Sequence, residues 1–125
     1  MIRIITLLVA LASLLFIAIG VRRLVDPAGA APELGLSLSQ GLGLSTQIGD
    51  ISSFFLTLGL CIAIALVSKQ RIWYYPAIML LVLAALGRLA AWSMHGAALA
   101  VPQIAVEVLV ALLLWYASKR LGRAP

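Results

Sequence analysis

Acidic side chains are scarce in this sequence: Asp26, Glu33, Asp50 and Glu107 are the whole supply, and charged residues of both signs fill only 10% of the 125 positions. A soluble domain carries about a quarter. With 64% hydrophobic residues and a mean hydropathy of +1.16, the chain cannot clothe an aqueous exterior and reads as an integral membrane protein. The single cysteine, Cys61, excludes an intrachain disulfide and a CxxC metal site. It lies in mid-span and reads as a packing residue. The single histidine, His95, excludes a haem held by two histidines of this chain. With no second His or Cys nearby, the usual metal-ligand sets cannot be built, so neither a metal nor another cofactor is expected. No nucleophile, base and orienter set appears, and no phosphate loop or dinucleotide fingerprint. An enzyme is not expected.

What is present is long apolar runs. Four spans can be marked, at about 4–21, 48–67, 72–94 and 101–116, within a single domain over 1–125. The first has the basic start of a secretory signal but exceeds the usual length of a signal core, so it is expected to be retained. The net charge of +5 does not point to nucleic acid, because the basic residues sit at the ends of apolar runs and form no aromatic-interleaved patch. Arg3, Lys69, Arg71, Lys119, Arg120 and Arg123 fall on one side of a four-span chain and only Arg22 and Arg23 on the other. That bias predicts both termini in the cytoplasm of a multi-pass protein of the bacterial inner membrane. Trp73, Tyr74, Tyr75, Trp115 and Tyr116 would form an aromatic belt at the inner interface.

Three charges interrupt the spans. Arg88 lies inside the third, where a guanidinium keeps its proton and brings five donors to satisfy. Asp50 and Glu107, counted at about 1.5 Å per helical residue, lie at similar depth in the outer half of the second and fourth. The cluster Asp50, Arg88 and Glu107 is therefore the candidate site. It reads either as a structural bolt or as a group with a spare acid, free to hold a proton or meet a cation or polar ligand. Arg22 and Arg23 are placed to lean in from the outer interface, Gln103 to donate to a head group beside Arg88, and His95 to end the Arg88 stripe.

Helical spacing gives each span a small or polar face: Thr6, Ala10, Ser13, Ile17 and Gly20; Asp50, Ser53, Thr57 and Cys61; Ala77, Leu81, Ala84, Arg88, Ala91 and His95; Gln103, Glu107, Ala111, Leu114 and Ser118. These predict the inward faces of an all-α, antiparallel four-helix bundle. The outer loop, 24–47, has turns at Asp26-Pro27 and Pro32-Glu33 and then leucines alternating with Gly, Ser and Gln. An extended or partly helical segment is expected there, either capping a pocket or resting among head groups.

Asp26-Pro27 after the first helix, Leu34-Gly35-Leu36, Gly49-Asp50, Leu86-Gly87-Arg88 and Glu107 together resemble the DoxX-like small four-helix membrane proteins, in an uncharacterised branch of that group. The resemblance implies association with membrane redox assemblies and an accessory role. The expected function is a non-catalytic accessory or scaffolding subunit, with lipid and either other membrane subunits or a second copy as partners. The alternatives are a small proton-coupled homodimeric exporter and a protein binding lipid or quinone.

Overall fold

A computed structural model describes residues 1–123; the last two positions of the expected 1–125 domain lie outside them. Five α-helices follow in order: α1 (Ile2–Val25), the single turn α2 (Pro27–Ala30), α3 (Gly41–Ser68), α4 (Tyr74–His95) and α5 (Val101–Arg120). Short 3-10 turns, Ala31–Leu34 and Arg71–Trp73, complete the chain, and there is no strand among the described residues. Helices α1, α3, α5 and the run Arg71–His95 are each long and apolar enough to cross a membrane.

The breaks follow local chemistry. Asp26 precedes Pro27 and leaves the helical region (φ −141°, ψ 65°), as a residue before proline tends to. Its carboxylate then accepts the Gly29 N–H at 3.2 Å and caps α2. Gly96 ends α4 at φ +70°, where the Ala91 carbonyl accepts N–H bonds from Gly96 and Ala97. Pro102 stands in the first turn of α5, where its missing donor costs least.

The helices pack in a closed ring. Contact is most extensive between α1 and α3, then between α4 and α5; α3 meets α4, and a smaller α1–α5 contact closes the circuit. Lipid is as apolar as a leucine side chain, so close packing and interhelical hydrogen bonds hold such helices together. The α1–α3 seam has both. Gly59 lies against Ser13 and Ile17, Gly20 against Leu56, and the Ser13 hydroxyl donates to the Gly59 carbonyl at 2.8 Å. Val9, Leu58, Ile62, Tyr74, Leu81 and Leu114 fill the centre, while Leu7, Leu14, Leu83, Leu109 and Leu112 point outward.

Several expectations shift. Helix α3 begins seven residues before the expected Ile48, so the non-helical part of the 24–47 loop shrinks to Asp26 and the short stretch between Leu34 and Gly41. The Gln47 side chain fastens that stretch by accepting from the Ser39 N–H and donating to the Ser37 carbonyl. On α5 the expected face is inward from Glu107 through Ala111 and Leu114 to Ser118, but Gln103 is exposed. On α3 the face is rotated: Ser52, Leu58, Gly59, Cys61, Ile62 and Ala65 are buried, whereas Asp50, Ser53 and Thr57 are exposed. The close approach of Gly59 to α1 sets that rotation. On α1, Ser13 and Gly20 are buried with Ile5, Val9 and Phe16, and Thr6 is exposed. Tyr74 leaves the aromatic belt for the core at 0% exposure, because it shares a face with Ala77 and Leu81; Trp73, Tyr75, Trp115 and Tyr116 stay exposed.

At the end that holds the α3–α4 turn, α5 is clasped by backbone pairing. Arg71 N–H donates to the Arg123 carbonyl at 3.0 Å, Arg123 N–H to the Lys69 carbonyl at 2.8 Å, and Arg71 Nε to the Ser118 carbonyl at 2.9 Å.

Candidate functional site: an ion pair between two cavities

At the opposite end, α3, α4 and α5 bring Asp50, Arg88 and Glu107 to one cavity of about 480 Å³. Arg88 and Glu107 bond directly. The guanidinium Nε donates to both carboxylate oxygens, at 3.0 and 3.1 Å. Glu107 is buried at 8% exposure, while the Arg88 side chain keeps 36%, so one end of the pair is dry and the other open. Gly87, beside Arg88, has open space where a side chain would stand, which widens the cavity there.

Asp50 behaves differently from the expected bolt. It lines the same cavity, but its carboxylate takes no hydrogen bond or ion pair among the described residues. The rotation of α3 explains this: Asp50 stands at the exposed rim instead of turning inward to Arg88. Arg88 is likewise only partly satisfied, since its two terminal amino groups have no hydrogen-bond partner among the described residues.

A second cavity, of about 270 Å³, lies beside the first. The two share Leu34, Phe54, Phe55, Arg88 and Glu107, so the ion pair forms a polar seam between two apolar chambers. Leu15, Phe16, Ile19, Leu58 and Leu81 extend the apolar wall of the smaller one, and Gln103 stands on its lining with Pro102. Phe54 and Phe55 meet edge to face, with ring centroids 5.1 Å apart.

Arg22 and Arg23 do not join this cluster. Both turn to Glu33, Arg22 in a direct ion pair and Arg23 with Nη1 at 3.6 Å from Oε2. Arg23 is buried at 5% exposure, lies over the Phe55 ring at 5.8 Å, and has Nε and Nη1 without hydrogen-bond partners among the described residues. The reason is proximity, since the α2 turn folds Glu33 back onto the end of α1 before either arginine can reach α4. His95 is exposed at the end of α4 and lines neither cavity.

The segment between α1 and α3 contributes to the lining. Leu34 lines both cavities and Leu36 the larger, and the Arg22, Arg23 and Glu33 contacts hold that segment to α1. Sequence reasoning missed Glu33, Leu34, Phe54 and Phe55 as site residues. Glu33 had a signal, because two arginines at a helix end followed by an acid across a proline-bounded turn can fold back on each other. The phenylalanines had none, since a pair of aromatics in an apolar span is ordinary.

The arrangement offers hydrogen-bond donors on Arg88, an acceptor on Asp50 and apolar walls on both sides. Among the described residues no three His, Cys, Asp or Glu side chains gather as a metal site. No protein-family model, no curated protein and no solved structure matches this chain, so the DoxX-like resemblance rests on its short motifs alone.

Proposed function

We propose that this protein is a multi-pass protein of the bacterial inner membrane that holds a small amphiphile between its helices and performs no chemistry on it. The observation that supports this is the half-used guanidinium of Arg88. One edge is committed to Glu107, while the terminal N–H groups of a residue lining two apolar chambers are without partners. A donor left unsatisfied at membrane depth is costly, and a ligand oxygen relieves that cost. The ligand's apolar part would lie along Phe54, Phe55, Leu58 and Leu81. In this reading the bundle is antiparallel with both termini cytoplasmic, and the cavities belong to the outer half of the membrane. The opposition of Ser13 to Gly59 and Gly20 to Leu56, together with the loop charges, supports that orientation.

The accessory-subunit reading is the second. It is favoured by an outward-facing apolar cleft of about 490 Å³ between α3 and α4, lined by Thr57, Tyr75, Met79 and Leu83 among others, which suits a helix of another subunit. The exporter alternative has less support, because the buried Glu107 is paired with Arg88 and the unpaired acid of the cluster is the exposed Asp50.

Mild-detergent extraction from native membranes followed by mass spectrometry separates the two leading readings. Amphiphile binding predicts a chain or homodimer that carries a small molecule, lost on Arg88→Ala while the protein stays folded. A stable larger complex with no bound small molecule would favour the subunit role.

A further inference from the structure

We infer that the ligand is a cationic amphiphile whose positive charge is held by the Asp50 carboxylate; this rests on the amphiphile-binding reading and adds the ligand's charge. All four acids of the chain lie at the cavity end of the bundle, and three are accounted for. Asp26 accepts the Gly29 N–H, Glu33 takes Arg22 and Arg23, and Glu107 accepts Arg88 Nε on both oxygens. Asp50 alone has a carboxylate with no partner among the described residues. Because Glu107 balances Arg88, the larger cavity keeps one negative charge in surplus.

The walls decide what kind of cation balances it. Leu34, Leu36, Phe54 and Phe55 line the cavity with Asp50 and supply no oxygen ligands, which a small hydrated metal ion requires. They suit a cation with apolar substituents, for which aromatic faces add attraction. An anionic head group would reach Arg88 only against the uncompensated charge of Asp50.

Three probes of nearly the same shape and different charge test this: tetraphenylphosphonium, triphenylphosphine oxide, which is neutral with one oxygen acceptor, and tetraphenylborate. Each is measured by equilibrium dialysis against the full chain in nanodiscs, with empty nanodiscs as the partition control. Saturable binding in the order cation, neutral, anion is expected. Asp50→Asn should weaken the cation at least about tenfold and leave the phosphine oxide unchanged. Phosphine oxide that binds saturably with no preference for the cation, or cation binding untouched by Asp50→Asn, overturns the charge assignment and leaves the cavity reading standing. Gly87→Phe, which fills the larger cavity from a position with open space around it, should abolish saturable binding of the cation. If no probe binds the unaltered protein saturably, the amphiphile reading falls as well. The three-probe comparison on the unaltered protein decides the matter even where a variant fails to fold.

Discussion

At the scale of single residues, Arg88 and Glu107 form a charge pair whose burial is lopsided. Removing one partner of a fully buried pair costs about 3–5 kcal/mol, because a bare charge is left behind, whereas replacing both by apolar groups is often neutral. Since the Arg88 side chain keeps 36% exposure and lines an open cavity, Glu107→Leu is expected to cost less, about 1–3 kcal/mol. Arg88→Met together with Glu107→Leu should recover most of that loss. Thermal unfolding in one detergent reads these together with Arg88→Met alone, and a double variant that loses the sum of the two single losses would show that the pair is not coupled. Arg88 was legible from the sequence, since a guanidinium in an apolar run demands a partner, and Glu107 was a reachable candidate. Asp50 shows the limit: its depth was readable, but whether it faced Arg88 depended on the rotation of α3.

At the scale of elements, that rotation is set by the α1–α3 seam. A Cβ on Gly59 would stand 2.8 Å from the Ile17 backbone nitrogen and 2.9 Å from the Ser13 carbonyl oxygen, atoms that cannot swing aside as a side chain can. Gly59→Ala should therefore force the helices apart and destabilise the protein by about 1–3 kcal/mol, as overpacking typically does. Ser13→Ala removes one interhelical hydrogen bond and should cost about 0.6 kcal/mol. Chemical denaturation of both variants tests the order, and a harmless Gly59→Ala would mean that the seam is loose. The polar stripe Asp50, Ser53 and Thr57 misled because small polar residues also lie on outward helix faces when their hydroxyls bond their own backbone. Ser53 does so, donating to the Gly49 carbonyl. On α5 the same reasoning held from Glu107 through Ala111 and Leu114 to Ser118, which are buried, and failed at the exposed Gln103.

At the scale of the whole molecule, charge is divided between the two ends. The acids gather around the cavities with Arg22, Arg23 and Arg88, and the remaining cations lie toward the other end. Positive charge is retained on the cytoplasmic side of a membrane, so the proposed orientation is testable by cysteine labelling. In a Cys61→Ser background, an impermeant maleimide should label Ser37→Cys on intact cells and Lys119→Cys only after permeabilisation. Labelling of both from the same side would contradict the orientation.

By itself the sequence determined the apolar character and the number of the long helices, while their ends differ from the expected spans, by seven residues at the start of α3. Hydropathy, loop charge and proline or glycine at helix ends are local properties, readable without knowing what packs where. It also marked Arg88 as a residue in need of company. Only the tertiary structure decided which company it keeps. The Gly59 contact turns Asp50 to the cavity rim, the α2 turn carries Glu33 back to Arg22 and Arg23, and Leu34 comes to rest over two chambers walled by Phe54 and Phe55. Each depends on how two helices approach one another, and a few tens of degrees of helix rotation move a carboxylate from a bonded partner to an open rim.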